Sequence, residues 1–121
     1  MHINVKPLLL LALICCLGVS LAFAGEIQKG ATMQVKANSI WFEDAAKLTR
    51  LQRLKNSGDS TALAAYQTEV LSNRDAWQFT NQLTVRILSY QPRKSRVRVE
   101  MQTAGRLLGS TWLLDADALA Q

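Results

Sequence analysis

Three residues of this chain could do thiol or imidazole chemistry, and all three lie near its start: His2, Cys15 and Cys16. Adjacent cysteines could form a redox pair, a lipid anchor or part of a metal site. Their setting argues against each. They sit in the stretch LLLLALICCLGVSLAFAG, which follows Lys6 and carries the small-x-small pattern Ala22-Phe23-Ala24. That is the form of a secretory signal, so residues 1–24 are expected to be a signal peptide cut between Ala24 and Gly25. The run is short of the ~20 apolar residues that span a bilayer, and Gly18 and Ser20 weaken it as a retained anchor. Ile14 stands where a lipoprotein signal would need a small residue before its cysteine.

The remainder, Gly25–Gln121, contains neither Cys nor His. Disulfides, thiol nucleophiles, a Ser-His-Asp triad, the usual zinc sites and His-ligated haem all need a group it lacks. No cofactor and no metal are expected. Carboxylates are the acid–base groups that remain. Glu43 and Asp44 are neighbours on a predicted helix and point about 100° apart, a poor geometry for flanking one bond. Asp115 and Asp117 belong to a short terminal turn, where a capping role suffices. A carboxylate hydrolase is thus the least supported class, and the protein is expected not to be an enzyme.

Binding chemistry is better represented. Arg93, Lys94, Arg96 and Arg98 form a basic cluster in which Arg96 and Arg98 share a strand face and Arg93 and Lys94 occupy a hairpin tip. Four such cations could converge on a phosphate or carboxylate. The plainer alternative is an exposed strand face blunted by charge, with Arg96 stacked on Tyr90 and Arg86 paired with Glu100. Trp41 and Trp112 read as core, whereas Trp77, in a connector, reads equally as buried or as part of an aromatic platform. The candidate ligand-binding residues are therefore Trp77, Tyr90, Arg93, Lys94, Arg96 and Arg98.

The elements that position these groups follow from periodicity. A chain of this length makes one domain with a single modest core, residues 25–121. Ala31–Ala37 alternates as a half-buried strand. Over Ser39–Asn56, Trp41, Ala45, Leu48, Leu51 and Leu54 recur at helical spacing, Glu43–Lys47 is an i,i+4 pair, and Gly58 closes the helix. A second helix runs from about Ser60 to Leu71, capped by Asp59 or Ser60, giving a helical hairpin over about 39–71. Ser72–Asn81 is a connector. Leu83–Tyr90 and Arg96–Gln102 form a β hairpin around Gln91–Ser95, and Leu107–Leu114 is a further strand, so the β part spans about 83–114. Symmetric closure of the hairpin places Tyr90 opposite Arg96, Leu88 beside Arg98 and Arg86 opposite Glu100. It leaves Val85, Ile87, Val97, Val99 and Met101 for the core.

The stretches TVRILSYQPRKSRVRVEM and AGRLLGSTWLLDADAL resemble a bacterial Src-homology-3-like small barrel. The shared pattern is two long strands in a tight hairpin, a glycine turn, and a strand whose aromatic precedes an acidic, leucine-terminated turn. The resemblance implies an α+β fold: a small antiparallel Src-homology-3-like barrel or curled sheet with a helical hairpin inserted after the first strand. Two departures are the helical insert and the little chain left after Leu119 for a last strand. It also implies a binding module, because such barrels recognise peptides or cell-wall components, and it implies no catalysis.

The formal net charge of +5, one less after loss of Lys6, permits an anionic partner. The expected function is a periplasmic or secreted binding module of the cell envelope whose partner is a protein, a peptide or a cell-wall component. The alternative is a periplasmic inhibitor or immunity-type protein that blocks another enzyme. Nucleic acid is not an expected partner, since export removes the protein from it, and membrane contact is expected only through the uncleaved signal. Mass spectrometry of the exported chain should find Gly25 as its first residue. A chain still carrying Cys15 and Cys16 would overturn the signal reading.

Overall fold

The computed structural model describes residues 26–121, so the expected signal segment, with His2, Cys15 and Cys16, lies outside the described residues. Strand β1 (Thr32–Val35) leads to β2 (Ile40–Phe42), then helices α1 (Ala45–Ser57) and α2 (Ser60–Ser72), then β3 (Ala76–Gln78). Strands β4 (Leu83–Gln91), β5 (Arg96–Met101), β6 (Thr111–Asp115) and β7 (Leu119–Ala120) follow. Single 3-10 turns at Pro92–Lys94 and Ala116–Ala118 join β4 to β5 and β6 to β7. The fold is α+β, with one seven-stranded antiparallel sheet in the order β3-β2-β6-β5-β4-β1-β7. The sheet is open, with β3 and β7 as its edges. It is not closed into a barrel.

The insert between β1 and β4 differs from the expected helical hairpin at both ends. The helix predicted from Ser39 begins at Ala45, where the Asp44 carboxylate accepts the Ala46 N–H at 2.7 Å. Ile40-Trp41-Phe42 instead forms a strand, as suits a β-branched residue beside two aromatics. It pairs with β3, which lies inside the predicted Ser72–Asn81 connector. The helical pair is thus bracketed by two strands that bond to each other. Glu43 falls outside α1, and Lys47 pairs with Asp75 at 2.8 Å rather than with Glu43. Gly58 takes φ 76° at the end of α1, where a Cβ would be strained, and the Asp59 carboxylate caps α2 by accepting from Ala62.

The β part is also adjusted. The strand predicted from Leu107 begins at Thr111, and Leu107 and Leu108 are exposed in the turn before it. The short tail after Leu119 does supply a last strand, since Leu119 and Ala120 pair with Val35 and Gln34. In the hairpin, Gln91 faces Arg96, Tyr90 faces Val97 and Ser89 faces Arg98, whereas beyond Leu88 the register is Ile87 with Val99 and Arg86 with Glu100. Leu88 is the extra residue of a β-bulge. The 3-10 turn closes the loop one pair nearer the tip than symmetric closure would, with Ser95 at φ 47° donating its N–H to the Pro92 carbonyl. The apolar alternation fixes the far end, and the bulge reconciles the two registers. One added residue reverses the faces, so Tyr90 turns onto the core and cannot stack on Arg96. The Arg86–Glu100 pair forms as expected, at 2.8 Å.

Two apolar clusters result. The predicted Val85, Ile87, Val97, Val99 and Met101 are buried with Val35, Trp41, Trp112 and Leu114 on the inner face of the sheet. There the Trp41 ring meets Phe79 edge-on at 5.1 Å and Trp112 at 6.0 Å. The outer face carries the second cluster, in which Phe42, Ala76 and Leu113 pack against Leu48, Leu51, Tyr66 and Val70 of the helices. The Tyr66 hydroxyl donates to the Lys47 carbonyl at 3.2 Å and ties α2 to α1. Because β2 and β6 contribute to both clusters, helices and sheet should unfold together. Leu48→Ala, at a fully buried position, should cost about 2–5 kcal/mol in urea unfolding. Tryptophan fluorescence and far-ultraviolet dichroism should then still give coincident transitions. Separate transitions would show that the two clusters are independent.

Candidate functional site

Strand β5 alternates, so Val97 and Val99 fill the inner core while Arg96 and Arg98 project from the outer face. That face is the one on which α1 lies, since Arg98 is registered with Leu113, which packs against the helices. The basic strand face therefore meets a helix. The Arg96 guanidinium donates to Thr49 Oγ1 of α1 through Nη2, and its Nε is buried without a hydrogen-bond partner among the described residues. Arg96 is held half-buried between strand and helix.

Between α1, the hairpin tip and the end of β6 runs a cleft of about 570 Å³. Its cations are Arg53 and Lys55 from α1, Arg93 and Lys94 from the tip, and Arg96 from β5. Its carboxylates are Asp115 and Asp117. Gln52 fastens the tip to the helix, its Nε2 donating to the carbonyls of Lys94 at 3.1 Å and Ser95 at 2.9 Å.

Asp115 is the junction of this wall. Its carboxylate accepts from Gln52 Nε2 at 3.3 Å, from Ser95 Oγ at 3.2 Å and from the Asp117 N–H at 2.8 Å, and it pairs with Lys55 at 3.3 Å. Lys55 also reaches Asp117 at 4.0 Å. Burial by itself would raise the Asp115 pKa, but the Asp117 N–H, the Lys55 charge and the Gln52 bond together hold it below the ordinary aspartate range. Both cleft carboxylates are thus engaged by Lys55, and the other four cations have no carboxylate partner among the described residues.

The six sequence-predicted residues are distributed unevenly. Arg93, Lys94 and Arg96 line the cleft. Arg98 is exposed on the neighbouring side, in a depression of about 200 Å³ that shares only Arg96 with the cleft. Tyr90 faces the inner core. Trp77 is 43% exposed on the edge strand β3 and stands outside the aromatic cluster of Trp41, Phe79 and Trp112. Gln52, Arg53 and Lys55 also line the cleft, and no signal in the sequence marks them, since the helix dipole alone accounts for basic residues near a helix C-terminus. Nothing local in the sequence says which strand that end of the helix will meet.

Among the described residues, no group of three or more His, Cys, Asp or Glu side chains is placed to hold a metal ion. No helix among them is long and apolar enough to cross a membrane. Comparison with protein-family models, with curated proteins and with solved structures finds no match to this chain.

The lowered Asp115 pKa has a definite sign. A carboxylate depressed in the folded state adds stability at pH values above its unfolded pKa, and that stability is lost as pH falls through the folded value. Wild-type stability should therefore drop below about pH 4, the ordinary aspartate value. Asp115→Asn should cost about 1–3 kcal/mol at neutral pH and flatten this acid slope. Urea titrations of both proteins at several pH values check it; parallel slopes would show that Asp115 does not couple helix to hairpin.

Proposed function

We propose that this protein is an exported, non-enzymatic binding module of the cell envelope that takes an anionic partner in the cleft between α1 and the β4–β5 hairpin. The observation that carries this reading is the charge imbalance of the cleft: five cations face two carboxylates, and Lys55 already engages both. A concave surface with a surplus of one charge sign focuses its field and recruits counter-ions. Guanidinium groups at its edges offer paired donors to carboxylate or phosphate oxygens.

We read the sheet as an opened, Src-homology-3-like arrangement with the helical pair and its bracketing strands β2 and β3 inserted after the first strand, between β1 and β4. Its connectivity supports this. Strand β1 lies between β4 and the terminal β7, strands β4, β5 and β6 form a meander, and a 3-10 turn leads from β6 into β7. In this reading the insert, the hairpin tip and the last 3-10 turn border one binding surface, and Asp115 holds all three together. The partner is a protein, peptide or wall component met after export, which the segment Met1–Ala24 supports through its form as a signal.

Arg93 and Lys94 are exposed and make no ion pair among the described residues, so the double charge reversal Arg93→Glu with Lys94→Glu should leave thermal stability within about 0.5 kcal/mol of wild type. It should abolish retention on isolated cell wall or on the envelope protein that wild type captures. Retention of wild type should also weaken as salt rises. Undiminished retention of the reversed variant would exclude the cleft as the binding surface.

A further inference from the structure

The cationic cleft does not stop at Lys55. Lys55, Asp115 and Asp117 also form one wall of a second groove, of about 480 Å³, that runs between the two helices and the start of β2. Its floor is apolar, built from Ile40, Leu51, Leu63 and Leu71. Leu51 is buried, while the other three are half-buried and keep part of their surface in water. Its rim carries the side-chain amides of Asn38, Gln67 and Gln78.

We infer that the two grooves form one binding track, and that it takes an extended peptide in which acidic residues are followed by an apolar side chain. This rests on the anionic reading of the cleft and adds the class of ligand. Charge complementarity places the acidic residues against Arg53, Arg93 and Lys94. The leucine floor then decides between anions. A phosphate or sulfated polymer continuing past Lys55 would strip water from these leucines and give them no apolar contact in return, whereas a peptide side chain would bury them. The rim points the same way, because an amide side chain both donates and accepts, as a peptide backbone requires, while a phosphate or sulfate anion only accepts.

The test uses protein expressed from the full sequence and purified in the form that export leaves. Four fluorescent probes are titrated: an acidic–apolar peptide, the same peptide with serine for its apolar residues, the same with serine for its acidic residues, and inorganic polyphosphate. The acidic–apolar peptide should bind about tenfold tighter than the acidic–serine peptide, the increment of roughly one buried aliphatic side chain. Leu63→Ala should remove that increment without affecting the acidic–serine peptide. Ala64→Gln, an exposed helix position whose longer side chain would lie over the groove, should do the same where Leu63→Ala perturbs packing. The double reversal at Arg93 and Lys94 should weaken both acidic peptides. Equal affinities for the two acidic peptides, or binding of polyphosphate alone, would overturn the peptide track and leave the anionic cleft standing. Binding of none of the probes would overturn both.

Discussion

Strand β6 is buried on both of its faces, and most of the architecture depends on that. Trp112 and Leu114 enter the inner core, Leu113 between them packs against the helices, and the strand hydrogen-bonds to β5 on one side and at Phe42 to β2 on the other. A strand with one solvated face would need a polar residue at the position of Leu113. With Leu113 there, the outer face requires a cover, and Leu48 and Leu51 of α1 supply part of it. The strand pair β2–β3 brackets the helices and keeps that cover in place. The insert is thereby part of the fold's energetics as well as its topology.

The same strand delivers Asp115 to the point where hairpin, helix and final turn meet. A partly buried carboxylate is costly unless its lone pairs are used, and four donors from three elements use them here. Lys55 is drawn into the wall by this arrangement, and Gln52 fixes the neighbouring tip carbonyls. Arg53, Arg93, Lys94 and Arg96 remain close to one another, and their mutual repulsion is only partly offset by the two aspartates. Such a surplus disfavours the empty cleft slightly and favours an incoming anion by the same interaction.

The parts of the fold legible in the sequence are those governed by period and capping. The inward set of the hairpin follows from strict alternation, and α2 starts at Asp59, one of the two caps its sequence offers, whereas the stripe read from Ser39 hides the Asp44 cap of α1. What was hidden depended on contacts between distant segments. Ile40–Phe42 fits a helical stripe through Trp41 as well as it fits a strand, and only its partners β3 and β6 decide. The bulge at Leu88 arises from a conflict between a local turn and a long-range core register, and neither alone reveals it. Its effect on the candidate site is large, because it moves Tyr90 to the opposite face from Arg96. The cleft was half legible. Its tip and strand cations formed a visible cluster, but the helix cations facing them are distant in sequence and had a sufficient local explanation.

The helical insert also changes what the basic strand face can be. Without a helix over it, the row Arg96 and Arg98 would be a solvated sheet face of the ordinary kind. Arg98 keeps that character, exposed and outside the cleft. Arg96 does not, because Thr49 binds one end of its guanidinium while Nε lies in a space too closed for bulk water. Two arginines that alternate identically along one strand thus meet different environments, and the difference is made by α1. Placing the helix there costs Arg96 part of its hydration, which an anion bound beside it would restore through charge-assisted hydrogen bonds. On the proposed anionic reading, the packing that completes the core is also what prepares the cleft for its ligand.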